Sequence, residues 1–109
     1  MPIQYDTFYQ PFLGYLSFQK RYSPHTIVAY QHDLVSFFDF ISGQYGEVQL
    51  SEIKPTMIKS WLAELKNSGI ESKSINRKIS SLKSFFKYQL KQGNIETSPM
   101  TTIISPKIK

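Results

Sequence analysis

Ser72-Lys73-Ser74-Ile75-Asn76-Arg77-Lys78-Ile79-Ser80-Ser81-Leu82-Lys83-Ser84-Phe85-Phe86-Lys87-Tyr88-Gln89-Leu90-Lys91-Gln92 is the stretch whose spacing decides the fold. At about 100° per residue, Ile75, Ile79, Leu82, Phe86 and Leu90 fall on one flank, the recurrence of a helix that buries one side. The other flank carries Lys73, Arg77, Lys87 and Lys91, with Ser80 and Ser84 between them and Asn76 and Lys83 at its edge. A solvated helix face ordinarily mixes charge signs to gain pairs one turn apart, yet the nearest acid is Glu71, just before the helix begins. Such a face repels itself unless an anion lies against it. The serines leave room for a backbone to approach and can donate to phosphate oxygens, so the pattern is that of a nucleic-acid surface. A lysine-rich helix is also commonly just solvated, with late cations complementing the macrodipole. The stripe alone leaves both readings open.

The bulk of the chain agrees with a small ordered domain. Its 109 residues make one domain with a modest core, and 40% apolar with 15% aromatic residues supply the material to bury. The net charge of +5 favours an anionic partner, and most of the excess lies between Lys66 and Lys91. A membrane surface is the rival anion, but no apolar run reaches spanning length and no charged-then-apolar leader precedes the first helix. No membrane contact is expected, and the expected location is the cytoplasm. The absence of cysteine excludes disulfides and thiolate metal sites.

Taken in order, the chain reads as all-α with four main helices. Residues 1–7 read as a loosely tied end. Phe8, Phe12, Tyr15 and Leu16 then recur at helical spacing, and because proline is comfortable only in a first turn, the first helix is expected from Gln10 or Pro11 to Lys20. Ser23-Pro24 is the clearest helix start, serine as cap and proline at the first helical position. From it Ile27, Tyr30, Leu34, Phe37, Phe38 and Ile41 form an apolar face to about Ser42, with Gly43 as terminator. Val48 to Ile53 has a strand-like pattern but no strand to pair with, so it reads as a loop that tucks in Leu50 and Ile53. Pro55 opens a third helix with Met57, Ile58, Trp61, Leu62 and Leu65 inward, closed by Asn67-Ser68-Gly69, and Trp61 reads as a core anchor. The fourth helix ends at Gly93. Residues 1–93 are thus expected to form the domain, and 94–109 a short turn at Ser98-Pro99 followed by a linker through Pro106-Lys107.

No constellation for catalysis stands out. His25 and His32 are seven residues apart on an exposed side, about two turns, too far to share one metal directly. There is no glycine-rich phosphate loop, and Asp33 and Asp39 read as solvated carboxylates without the partners of an acid–base pair. The tyrosines and serines lack a neighbouring base and oxyanion site. No cofactor, metal or small-molecule substrate is expected.

Three stretches together resemble a known family: Ser23-Pro24-His25-Thr26-Ile27 with Tyr30, Asp33, Leu34 and Phe37; Ser74 to Phe86; and Ser98-Pro99 before Pro106-Lys107. From Phe12 onward the chain is similar to the amino-terminal core-binding, SAM-like domain of tyrosine recombinases of the Xer and phage-integrase type. The resemblance implies a compact bundle of four main helices arranged as two crossed helical hairpins, forming half of a clamp on a duplex recombination site. It implies duplex DNA and other recombinase protomers as partners, in a bacterial cytoplasm and at the nucleoid when bound. Helices two and four would approach the major groove. Carried over, Ser23, His25 and Thr26 come from helix two, and Ser74, Asn76, Arg77, Lys83 and Lys87 from helix four; the stripe adds Lys73, Ser80, Ser84 and Lys91. Members often carry arginine where Lys83 stands, and lysine lacks the bidentate fork that reads guanine. The family's nucleophile belongs to a separate carboxy-terminal domain, so Tyr30 and Tyr88 read as partly buried helix residues and this chain as the DNA-binding piece. Two alternatives stay open: a stand-alone helix-turn-helix regulator using the short Gly69 to Ser72 turn, and a basic protein-interaction module.

Overall fold

A computed structural model describes residues 4–104, and it is all-α: four helices, with no strand among the described residues. They fall into two units, each built on a helical hairpin, α1 on α2 in one and α3 on α4 in the other.

In the first unit, α1 spans Asp6–Phe18 and α2 spans Pro24–Tyr45. The start of α1 differs from expectation. Tyr5 is buried at its first turn, its ring stacked on Phe38 at 4.3 Å between centroids and its hydroxyl donating to the Val48 carbonyl. That tertiary anchor draws the helix back to Asp6, so Pro11 lies inside it rather than at its head. Phe12, Leu13 and Leu16 are buried, and α1 stops at Phe18, short of Lys20. Arg21 takes a left-handed φ of 54°, a conformation that costs about 1 kcal/mol for a residue with a Cβ, and the chain turns there toward α2.

Ser23 caps α2 as its sequence suggested, its Oγ accepting from the Thr26 amide at 3.3 Å with Pro24 first in the helix. Leu34, Phe37, Phe38 and Ile41 are buried. So is Asp33, wholly, which corrects its reading as a solvated carboxylate: one turn before Phe37 it falls inside the buried arc, and it is not without partners there. Asp39 is exposed. Gly43 continues the helix, and Gly46, with φ of 77°, ends it, because only there does the backbone need the left-handed side.

In the second unit, Leu50–Glu52 forms one 3₁₀ turn whose Glu52 side chain accepts from the Gln49 amide at 3.1 Å, and Leu50 and Ile53 are buried as expected of this loop. α3 spans Pro55–Asn67 and buries Ile58 and Trp61, leaving Met57, Leu62 and Leu65 half-buried. α4 spans Ser72–Lys91. Both helices end in the same hydrogen-bonded turn: the Ile70 amide reaches the Leu65 carbonyl and the Asn94 amide the Gln89 carbonyl, each at 3.0 Å. Beyond α4, Ile95, Met100 and Ile103 are buried, and the Ser98 hydroxyl accepts from the Met100 amide at 3.1 Å. The stretch expected to be a short turn followed by a linker is held down by its apolar residues as far as Ile103. Pro106-Lys107 and the far N-terminal end lie outside the described residues.

Candidate nucleic-acid interface

α4 sorts its side chains by angle, and the sorting decides what its surface can bind. Ile75, Ile79, Leu82 and Phe86 are buried as their spacing predicts, but the inward arc is rotated. Phe85, Lys78, Ser81 and Gln89 are buried too, while Leu90 is 36% exposed. Local hydrogen bonds make the polar burial affordable. Ser81 Oγ donates to the Arg77 carbonyl at 3.2 Å, and Gln89 Oε1 accepts from Asn94 Nδ2 at 2.7 Å, tying the helix end to the turn after it.

What remains outside is one polar face. Lys73, Arg77, Ser80, Lys83, Lys87 and Lys91 are exposed, and Asn76 and Ser84 are half-buried within or beside this arc. Ser74, also half-buried, falls on the opposite side of α4 from Lys83 at about 100° per residue, so eight of the nine α4 residues singled out in the sequence share this side and Ser74 does not. The helix contains no acid, and Lys73/Arg77, Lys83/Lys87 and Lys87/Lys91 stand one turn apart as like-charge pairs. Each pair costs a few tenths of a kcal/mol in water, a repulsion relieved by an anion laid along the helix. From Lys73 to Lys91 the cations span about 27 Å at 1.5 Å per residue, long enough to follow a nucleic-acid backbone past several phosphates. Ser80 and Ser84 occupy the turns between Arg77 and Lys87, where a larger side chain would hold a backbone away.

The other candidate residues belong to the first unit. Ser23 and His25 are exposed at the start of α2 and Thr26 is half-buried. The Ser23 and Thr26 hydroxyls lie 3.0 Å apart and share one hydrogen bond. Of their two protons one is used between them, so the other is left to an outside acceptor such as a phosphate oxygen. Sequence reasoning passed over Lys20 and Arg21, which are exposed in the turn just before this helix start and are the only lysine or arginine of the first 48 residues. Lys20 Nζ lies 5.9 Å from the centre of the Tyr15 ring. The signal that could have found them is charge counted by segment rather than by helix face. Tyr30 and Tyr88 are half-buried.

Residues 10–93 match the family model described as phage integrase, N-terminal SAM-like domain. Similar proteins named tyrosine recombinase XerC include those of Chlorobaculum parvum, 33% identical over 91% of this chain and 31% of the relative, and Leptospira interrogans, 36% identical over 90% and 31%. The chain spans about a third of the length of the curated relatives it matches. Among solved structures, the fold is similar to that in the crystal structure of a lambda integrase (75–356) dimer bound to a COC′ core site, with a TM-score of 0.78 over 94% of this chain and 34% of that one at 16% identity.

Proposed function

The chain belongs to the family of phage integrase N-terminal SAM-like domains, and from that premise we propose that it is the core-binding domain of a tyrosine site-specific recombinase, gripping duplex DNA through α4 and the start of α2. The observation that carries the proposal is the outer face of α4, where six exposed positions hold five cations and a serine on a helix without one acid. Lys73, Lys83, Lys87 and Lys91 act as phosphate contacts, for which a point charge suffices. Arg77, the one guanidinium on the face, is the residue suited to read a base edge, and the Ser23/Thr26 hydroxyl pair donates to a phosphate. Lys20 and Arg21 extend the anion contact on the α2 side. Strand cleavage and rejoining are assigned to parts of the recombinase outside these 109 residues, and other protomers complete the assembly on the site. The place of action is the cytoplasm, in keeping with the absence among the described residues of a helix long and apolar enough to cross a membrane.

The domain alone binds duplex DNA weakly, with a dissociation constant on the order of micromolar or above at physiological salt. If it neutralises four to six phosphates, log affinity falls against log salt with a slope of roughly −4 to −5. Fluorescence anisotropy with a labelled duplex, repeated at several salt concentrations beside polyglutamate, tests this. No covalent adduct forms on a nicked suicide duplex. A flat salt response removes the proposal, and binding to polyglutamate without binding to duplex replaces it with a basic protein-interaction module.

A further inference from the structure

On the first unit, away from the α1–α2 turn, an open cleft of about 380 Å³ is walled by Tyr5, Tyr9 and Phe38 and rimmed by Asp6, Asp39 and Ser42. Its floor is a run of rings, Tyr5 on Phe38 at 4.3 Å and Tyr9 on Phe38 at 6.4 Å, with interplanar angles of 12° and 19°. Both aspartates are exposed, and neither makes an ion pair with a described residue. Both line the cleft with Tyr9, whose ionisation is pushed above the ordinary tyrosine value by burial first and then by the Asp6 and Asp39 charges. Among the described residues of this unit, no lysine or arginine lies near them. Lys20 and Arg21 lie at the far end of α1, about 20 Å away at 1.5 Å per residue, well beyond the roughly 8 Å over which salt lets exposed charges feel each other.

We propose that this cleft is a docking site for a lysine or arginine side chain of a basic protein segment, its aliphatic stem laid against the half-exposed Tyr9 ring, which Phe38 backs from the core, and its charged head between Asp6 and Asp39. The chemistry selects this occupant. Carboxylates at the rim repel phosphates and so exclude nucleic acid and acidic lipid headgroups. A metal ion is a poor fit, since it wants a shell of oxygen or nitrogen ligands, and no group of three or more His, Cys, Asp or Glu among the described residues could hold one. An organic cation with an apolar stem uses both features at once, the ring faces and the paired charges. The site does not depend on the DNA-binding proposal, since none of its residues belongs to that surface.

The test is ¹⁵N NMR of the whole chain titrated separately with Nα-acetyl-lysine amide, Nα-acetyl-arginine amide, neutral Nα,Nε-diacetyl-lysine amide and magnesium chloride. The two cationic probes move the amides of Tyr5, Asp6, Tyr9, Phe38 and Asp39 together, with one weak isotherm on the order of millimolar. The neutral probe and magnesium do not. In the double variant Asp6→Asn, Asp39→Asn the cationic isotherm weakens about tenfold, while the spectrum elsewhere is unchanged; the Asn side chains keep shape and polarity, so folding is preserved and checked by the same spectra. The proposal is overturned if the shifts spread equally to Glu64, Glu71 and Glu96, if the double variant binds the probes as well as the parent, or if the neutral probe or magnesium moves the same amides.

Discussion

The two hairpins use the same backbone device and opposite surfaces. Residues 1–48 hold Asp6, Asp33, Asp39 and Glu47 against only Lys20 and Arg21, whereas from residue 49 onward four acids face eleven lysines and arginines. Twelve of the sixteen aromatic residues are in the first hairpin, so its helices are joined by stacked rings, while the second relies more on buried aliphatics around Trp61, Phe85 and Phe86. Even within the first hairpin charge is sorted, cations at the α1–α2 turn and exposed carboxylates at the other end. The proposed anion and cation contacts thereby fall on different residues of one small chain, and each can be altered without the other.

Core truncations give the largest effects and show whether each hairpin rests on what it buries. Phe38→Ala removes the ring on which Tyr5 and Tyr9 stack, and Phe86→Ala removes a fully buried ring of α4; each lowers stability by about 3–5 kcal/mol, read by thermal or denaturant unfolding. In a domain of this size that approaches the whole folding free energy. Tyr5→Phe is milder, about 1–2 kcal/mol, because the ring stack survives while the Val48 carbonyl loses a buried donor. Hydrogen exchange then shows the first turn of α1 fraying before the rest. If Tyr5→Phe leaves that turn as protected as before, the anchor proposed for the early start of α1 is wrong.

Smaller still is the cap of α2, where two substitutions pull stability and binding apart. Ser23→Ala costs about 1 kcal/mol. Ser23→Asp keeps a capping oxygen and so keeps the melting temperature, but sets a negative charge where a phosphate is expected and weakens duplex binding. Equal DNA affinity in parent and Ser23→Asp removes the start of α2 from the interface. The weakest effect is alkaline. Burial raises the Tyr5 and Tyr9 hydroxyls above their ordinary value of 10.0, so the folded state holds these protons more tightly than the unfolded chain. Their contribution is therefore intact below about pH 10 and is lost as pH rises through the higher folded values, which melting curves from pH 9 to 11 beside an ultraviolet tyrosine titration follow.

These outcomes separate what the sequence could tell from what it could not. The start of α2 was legible because Ser23, Pro24 and the Thr26 amide settle it within four residues. The start of α1 was not, since its cause is a ring contact with Phe38 and a bond to Val48 more than thirty residues away. The exposed side of α4 was legible from the cation spacing, but its inward arc was not fully so: Lys78, Ser81 and Gln89 stand outside the apolar recurrence that marks the core, and the hydrogen bonds from Ser81 to the Arg77 carbonyl and from Asn94 to Gln89 make burial of two of them possible. Leu90 read as core by periodicity, yet near the helix end it is partly open to water. The tucked-in tail at Ile95, Met100 and Ile103 was missed because scattered apolar residues carry no period to read.

The central claim is that the outer face of α4 is built for phosphates and not for stability. The direct measurement is the salt dependence of duplex affinity for the parent chain and for Lys73→Gln, Lys83→Gln and Lys87→Gln, singly and combined, with melting recorded on the same samples. Each single substitution should lower the slope by about one unit and the triple by about three, with melting changed by no more than about 0.5 kcal/mol apiece. An unchanged slope in the triple variant, with its fold intact, would contradict the assignment of this face to DNA.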